Sequence, residues 1–196
     1  MVALIEVLLW DFCDTLIDGR WMHRAPAGVP DWPTVWTRLL RDRAHDWDTG
    51  RANESEIVGE LVSLSGMDRS AVEEHFDVCC RSIKFRRAAW SAATERRCQQ
   101  AMVTIIGDLF GERIEKPYRL DAHFDTIVAS YREGTDDKVE LCLVALDRLG
   151  VRGPRSRALL IDDRREWTEA WSAAGGTSYH VRDDASFEVD WPRLLR

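Results

Sequence analysis

Two apolar runs that end abruptly in aspartates constrain this sequence most. Residues 5–10 have the length and composition of a buried strand and are followed by Asp11, and residues 158–161 are followed by Asp162 and Asp163. In open α/β sheets, the carboxyl ends of the strands form the ligand crevice. If the two strands are neighbours, several carboxylates converge there, and their repulsion favours a bound cation. Hard oxygen ligands of this kind suit Mg²⁺.

The rest of the chain alternates between strand-like and helix-like segments. Further strands are predicted at residues 102–106, 126–129 and 178–181. Helices are predicted at residues 90–100 and 139–149, with another containing Trp167 and Trp171 and ending at Gly175. Strands separated by such long connections pair in parallel, which predicts an α/β fold. Residues 190–196 are predicted to be a tail.

Between the first two predicted strands lies a stretch with helical patterns and no strand. Helices are predicted at residues 33–44 and 70–83, and Asn53 with Glu56 forms a capping-box pattern that opens a third, ending at Gly66. Three successive amphipathic helices favour a small inserted unit. The predicted division is a core of residues 1–17 and 88–196 with a helical insert of residues 18–87.

Composition narrows the classes of function. The 196-residue chain has a formal net charge of −7, which argues against general nucleic-acid binding. No apolar stretch approaches the roughly 20 residues of a membrane span, so no membrane association is expected. The five cysteines are odd in number and lack zinc-like spacing, which indicates reduced thiols in a cytoplasmic protein. These are Cys13, Cys79, Cys80, Cys98 and Cys142.

The first acidic segment resembles a known motif. Residues 11–16 read Asp-Phe-Cys-Asp-Thr-Leu after an apolar strand, similar to the D-x-D-G-T-L motif of the haloacid dehalogenase (HAD) superfamily of aspartate-nucleophile hydrolases. The pair Asp162-Asp163 resembles the fourth motif of that superfamily. The resemblance implies a Rossmann-like three-layer parallel sheet of order 3-2-1-4-5 with an inserted α-helical cap. It also implies Mg²⁺ as cofactor and Asp11 as the nucleophile that forms an aspartyl-phosphate.

The resemblance also implies a role for each candidate residue. The catalytic candidates are Asp11 and Lys138. The metal ligands would be Asp11, Cys13 through its main-chain carbonyl, Asp162 and Asp163. Substrate binding is expected from Thr15, Gly107 and Asp108. Independently of the resemblance, the loop at the start of the insert could line a pocket with Trp21 and Arg24, and Arg24 offers a fork for an anion.

Three positions depart from the pattern of the superfamily. Cys13 stands where its phosphatases carry a general-acid aspartate, and a thiol with a pKa near 8.5 is a poor replacement. Gly107 and Asp108 follow the second strand where Ser or Thr binds phosphate, and Asp108 would repel an anion. Lys138 lies about two residues later than the expected lysine, a distance that its flexible stem could cover.

Three functions remain open at this point. The first is a magnesium-dependent hydrolase of a small anionic molecule whose leaving group needs no protonation, such as an acyl phosphate. The second is a catalytically degenerate relative with a binding or regulatory role, favoured by Cys13 and Gly107 together. The third is a carbon–halogen hydrolase, which needs no metal and is disfavoured by Asp162-Asp163. A small-molecule partner is expected in the enzymatic cases, and a homodimer is compatible with all three.

Overall fold

The computed structural model describes residues 4–194 and contains a five-stranded sheet. The strands are β1 (Val7–Trp10), β2 (Gln99–Thr104), β3 (Thr126–Ala129), β4 (Ala158–Asp162) and β5 (Thr177–His180). They lie in the order β3-β2-β1-β4-β5, and every neighbouring pair is parallel. The α/β fold class and the strand order are therefore confirmed.

Helices occupy the connections. They are α1 (Trp32–Asp48), α2 (Glu54–Ser65), α3 (Arg69–Arg81), α4 (Arg87–Thr94), α5 (Ser130–Glu133), α6 (Lys138–Arg148), α7 (Arg165–Ala173) and α8 (Asp184–Leu194). The first three lie between β1 and β2, as the helical patterns predict. None of the helices within residues 4–194 combines the length and apolar character that crossing a bilayer requires.

The sheet is buried on both faces, and its central strands are therefore apolar throughout. Leu8 and Trp10 belong to the hydrophobic cluster on one face, while Val7 and Leu9 belong to the cluster on the other. Successive side chains of a strand point to opposite faces, so a continuous apolar run supplies both clusters. Trp171 of α7 is fully buried in the second cluster.

Residues 18–87, which contain α1, α2 and α3, form the helical segment between β1 and β2. This helical segment leaves and rejoins the sheet region at adjacent points. The main-chain N–H of Asp18 donates to Lys84 O at 3.0 Å, and that of Arg86 donates to Leu16 O at 2.8 Å. This pairing brings the two ends of the inserted segment together. The division into a core and a cap of residues 18–87 stays a prediction.

Two segments near β2 differ from the sequence-based expectation. The helix predicted over residues 90–100 ends at Thr94, and β2 begins at Gln99. Arg96 lies between them in the left-handed region with a φ of 46°, a conformation that ends a helix. The strand predicted to reach residue 106 stops at Thr104 because Ile106 N–H donates to the hydroxyl of Ser130 at 2.9 Å, outside the strand ladder.

The predicted tail is also wrong for the residues that the structure describes. Residues 190–194 belong to α8, while residues 195–196 lie outside the described chain. Trp191 is buried, with its ring centroid 5.3 Å from that of Trp10. Because α8 covers Trp10, the C-terminal helix completes the core on that face of the sheet.

Candidate active site

Three aspartates and one lysine meet at the carboxyl edge of the sheet. Asp11 directly follows β1 and Asp162 ends β4, and these two strands are hydrogen-bonded neighbours. The N–H of Asp11 donates to Ile161 O at 2.9 Å, which sets Asp11 beside Asp162. Lys138 opens α6 at the same edge, and Asp163 follows β4. The parallel topology thus brings together groups that are far apart in the sequence.

Lys138 holds the cluster together. Its Nζ donates to Asp11 Oδ1 at 2.6 Å and to the main-chain oxygen of Val103 at 2.7 Å. The same atom lies 3.0 Å from Asp162 Oδ2, an ion-pair contact. The Lys138 side chain is only 1% exposed, and its ammonium also lies 4.7 Å from the ring centroid of Trp167. The stem of Lys138 therefore covers the distance to the expected nucleophile.

Burial dominates the electrostatics of this cluster. It raises the pKa of Asp11, with Asp162 and Asp163 adding to the increase and Lys138 opposing it. Burial acts to lower the pKa of Lys138, but the charges of Asp11 and Asp162 outweigh it and the pKa is raised. Burial followed by the charge of Asp162 raises the pKa of Asp163 to about 6. Lys138 therefore stays protonated, whereas the negative charge of the carboxylates is only partly neutralised.

The donor set fits a divalent cation. One carboxylate oxygen from each of Asp11, Asp162 and Asp163 lies within 4.8 Å of the others. Lys138 neutralises only part of their charge. Asp162 Oδ2 is buried and, apart from the 3.0 Å ion-pair contact with Lys138, has no polar partner among the described residues, so it retains a lone pair for a ligand. Mg²⁺ prefers carboxylate oxygens of this kind.

The loop after β1 is fixed by Asp14 rather than by a glycine. Asp14 adopts a left-handed conformation with a φ of 55°, which Asp tolerates better than most residues. Its carboxylate accepts the N–H of Gly19 at 3.0 Å and lies 3.5 Å from the guanidinium of Arg86. Thr15 is fully buried, and its hydroxyl finds no partner in the described chain.

The thiol of Cys13 is a poor proton donor or acceptor at this site. Burial raises its pKa, and the charge of Asp11 adds to the rise against an opposing hydrogen bond from Trp21. The thiol therefore stays protonated near neutral pH. It cannot serve as a general base, and it is too weak an acid to protonate a leaving group efficiently.

A cavity of about 200 Å³ opens onto the carboxylates. This "carboxylate cavity" is lined by Asp11, Cys13, Asp14, Ile105, Asp163, Arg164 and Trp167. Sequence reasoning missed Ile105, Arg164 and Trp167. Arg164 follows Asp163 directly and could have been found on that ground, but nothing in the sequence singles out Trp167. The guanidinium carbon of Arg164 lies 4.0 Å from the centroid of the Trp167 ring.

Gly107 and Asp108 contact the helical segment instead of the carboxylate cavity. The Trp47 indole packs against Gly107 so closely that a Cβ there would overlap the ring. Asp108 accepts the Trp47 Nε1–H at 2.9 Å and the N–H of Glu54, at the start of α2, at 3.0 Å. Because β2 ends at Thr104, the residue that follows the strand is Ile105, which lines the carboxylate cavity. The structure thus does not bring Gly107 or Asp108 to Asp11.

Trp21 and Arg24 share one surface cavity beside Lys84, but only Trp21 also reaches a cavity near the carboxylates. Trp21 lines a second cavity of about 230 Å³, the "aromatic cavity", which also includes Trp36, Trp47 and Leu40. Arg24 is exposed and lines two other surface cavities, one beside His75 and one beside Lys84. Of the two, only Trp21 lies in a cavity that adjoins the carboxylates, because the carboxylate and aromatic cavities share lining residues.

Solved structures with this architecture are HAD family enzymes. A HAD family enzyme from Bacteroides thetaiotaomicron matches with a TM-score of 0.73 at 15% identity, covering 98% of each chain. The same enzyme has been solved in complex with magnesium and inorganic phosphate, and that structure matches with a TM-score of 0.69 at 14% identity over 98% of this chain and 100% of that one. No protein-family model and no curated protein sequence matches the chain significantly.

A second kind of enzyme shares the fold. The L-2-haloacid dehalogenase from Xanthobacter autotrophicus, solved with chloropropionic acid covalently bound, matches with a TM-score of 0.68 at 12% identity. The match covers 91% of this chain and 78% of the dehalogenase. The chain therefore has the fold of the HAD superfamily, and the resemblance stated from its motifs is confirmed at that level.

Proposed function

We propose that this protein is a magnesium-dependent hydrolase that acts on a phosphorylated or otherwise anionic small molecule through Asp11. The observation that carries the proposal is the buried contact of Lys138 with both Asp11 and Asp162, beside Asp163. Ionised groups at such depth destabilise a fold unless they are paired. Groups with strongly perturbed pKa values in a cleft concentrate at functional sites, and this cluster lies in one.

Asp11 supplies the nucleophile in the proposed reaction. Lys138 holds Oδ1 of Asp11 at 2.6 Å, which leaves Oδ2 to attack the phosphorus atom. The bond from phosphorus to the leaving group breaks as the aspartyl-phosphate forms, and water then hydrolyses this intermediate and frees Asp11. Lys138 orients Asp11 and offsets negative charge that gathers around the phosphoryl group.

Mg²⁺ would complete the charge balance at this site. Asp11, Asp162 and Asp163, together with the main-chain carbonyl of Cys13, would hold it, and when bound it supplies positive charge beside the anionic substrate. The neighbouring structure with magnesium and inorganic phosphate supports this choice of ion and ligand. Because the thiol of Cys13 cannot protonate the departing oxygen, the first loop alone would favour substrates with good leaving groups, such as acyl phosphates, unless another residue supplies the proton.

A binding or regulatory role is the second candidate, and Ile105 favours it. An isoleucine lines the carboxylate cavity where a hydroxyl would bind phosphate, and Asp108 is engaged by the helical segment. A carbon–halogen hydrolase is less well supported. Such chemistry requires no metal, whereas Asp162 and Asp163 converge on Asp11 as a cation site.

The test is hydrolysis of acetyl phosphate and 4-nitrophenyl phosphate with and without millimolar Mg²⁺. Wild type should turn over both substrates only with the metal. Asp11→Asn should reduce turnover to background because it removes the nucleophile, and Asp162→Asn should weaken Mg²⁺ binding measured by titration calorimetry. Asp147→Asn, an exposed aspartate on α6, is the matched control and should behave as wild type.

The binding role makes a different set of predictions. Wild type, Asp11→Asn and Asp147→Asn would then share the same background rate, while Mg²⁺ could still bind. Trifluoroberyllate separates the cases further, because it should add to Asp11 in a reactive site. Background rates in all variants together with no beryllofluoride adduct would contradict the hydrolase.

A further inference from the structure

The aromatic cavity contains one half-buried carboxylate that the mechanism above does not use. Asp48 is the last residue of α1 and lines this cavity together with Cys13, Ile105 and Trp21. Cys13 and Ile105 also line the carboxylate cavity. The two cavities therefore meet at these residues, and a phosphoryl group beside Asp11 would place its organic part in the aromatic cavity, on the side of Asp48.

Charged groups from three elements surround Asp48. His45 comes from α1, Asp136 from the loop before α6, and Arg164 from the segment after β4. His45 Nδ1 lies 2.6 Å from Asp136 Oδ2, so these two side chains contact each other. Burial and then Asp136 raise the pKa of Asp48 to about 7, while His45 and Arg164 oppose the rise. A carboxyl group of this kind is half protonated near neutrality, where general acids work best.

We propose that Asp48 is the general acid of this site, donating a proton to the leaving oxygen in place of the residue that Cys13 replaces. This inference rests on the proposed hydrolase function and adds to it a substrate class: phosphate monoesters of apolar alcohols small enough for the aromatic cavity. Trp21, Trp36 and Trp47 supply the apolar wall.

The proton and electron balance closes without another reactant. As Asp11 Oδ2 bonds to phosphorus, the phosphorus–oxygen bond to the alcohol breaks, and the departing oxygen takes the proton of the Asp48 carboxyl. Asp48, now ionised, accepts a proton from the water that attacks the aspartyl-phosphate. The bond from Asp11 to phosphorus then breaks, inorganic phosphate leaves, and Asp48 is again protonated.

The test compares two substrates that differ in whether their leaving group needs a proton. Full-length protein with Mg²⁺ is assayed on 2-phenylethyl phosphate, an alkyl ester that needs a proton, and on 4-nitrophenyl phosphate, which does not. Asp48→Asn should lower kcat/KM for the alkyl ester by about 10² to 10⁴-fold and affect the aryl ester far less. The control is Asp46→Asn, which should change neither rate. Asp46 is a partly exposed aspartate on the same helix, and it pairs with Arg51 at 3.0 Å.

Two further measurements make the result specific. In the Asp48→Asn background, Cys13→Asp should restore much of the alkyl-ester rate because it returns an acid to the first loop. In wild type, the alkyl-to-aryl rate ratio should fall as pH rises through about 7, the pKa of Asp48. That pH profile needs no variant, so it tests the proposal even if Asp48→Asn fails to fold.

Several outcomes would overturn this assignment. Equal losses on the two esters in Asp48→Asn would make Asp48 a structural residue, and no loss on either would remove it from the reaction. A pH-independent alkyl-to-aryl ratio would do the same. Aryl-ester turnover that depends on Asp11 while Asp48 has no effect refutes this inference alone. Turnover of neither ester in any variant refutes the hydrolase and, with it, the role of Asp48.

Discussion

The carboxyl edge of the sheet has two halves that treat charge in opposite ways. At the ends of β1 and β4, Asp11 and Asp162 are buried against the ammonium of Lys138. At the end of β2, the neighbouring position of the same edge, Gly107 and Asp108 bind the helical segment. In the first half, charged side chains surround an open cavity. In the second half, the polar groups form hydrogen bonds with the helical segment.

This contrast separates the aspartates of the candidate site from an aspartate with a structural role. The carboxylate of Asp108 accepts two hydrogen bonds from the helical segment, so its charge is satisfied locally. The carboxylates of Asp11 and Asp162 share one lysine, which leaves charge for a cation. An aspartate after a strand therefore indicates a site only when its partners are too few to satisfy it.

Loss of the lysine should produce the largest effect. Lys138→Met leaves the carboxylates buried without their cation, and breaking a buried pair costs about 3–5 kcal/mol of unfolding free energy. The loss should be greater at pH 8 than at pH 5, because the carboxyls protonate at the lower pH, and Mg²⁺ should recover part of it. Denaturant unfolding at the two pH values, with and without Mg²⁺, measures both effects.

Lys116→Met is the control for that experiment. Its ammonium pairs with Glu112 at the surface and is 68% exposed, so the change should cost less than about 1 kcal/mol. A similar small cost for Lys138→Met, or a loss that Mg²⁺ does not reduce, would show that the two halves of the edge do not differ as described.

The second effect concerns the structural half. Gly107 does not lie in the left-handed region, so alanine fits its backbone, but the new Cβ would overlap the Trp47 indole. Gly107→Ala should therefore cost about 1–3 kcal/mol through overpacking while leaving Mg²⁺ affinity unchanged. Gly153→Ala is the control, since its Cβ would meet no atom closer than 3.8 Å. Weaker Mg²⁺ binding in Gly107→Ala would mean that the two halves are coupled.

The sheet could be predicted from the sequence because its signals are local. The apolar run before Asp11 and the run before Asp162 specify strands that must be buried, and right-handed connections leave few arrangements for them. Asn53 and Glu56 likewise specify the start of α2, where both capping hydrogen bonds are present at 3.1 and 2.9 Å. These patterns can be predicted because they depend only on residues that are close in the sequence, and the structure contains them.

The β2 half of the site could not be predicted because its partners are distant in sequence. Apolar character continues to residue 106, but the hydroxyl of Ser130 ends the strand ladder before it. Trp47 then covers Gly107, and Asp108 turns to Glu54. No sequence pattern within residues 102–108 predicts these contacts. Asp48 escaped notice for the same reason, since the charged groups that affect its pKa come from three separate elements.

The last prediction tests Asp48 through stability rather than catalysis. Its pKa is about 7 in the folded protein against an ordinary value of 3.8, so the folded state binds more protons than the unfolded state between those values. The contribution of Asp48 to stability is therefore present at low pH and is lost as pH rises through 7. Asp48→Asn removes this loss, because the neutral amide does not ionise.

The difference in unfolding free energy, variant minus wild type, should therefore increase from pH 4 to pH 8 for Asp48→Asn. Asp42→Asn should show the opposite sign and a smaller effect, because a hydrogen bond from Arg41 lowers the pKa of that exposed carboxyl. Urea unfolding at pH 4, 6 and 8 measures both differences. A flat difference for Asp48→Asn would mean that Asp48 is as well compensated as Asp108, and the aromatic cavity would then belong wholly to the structural half of the edge.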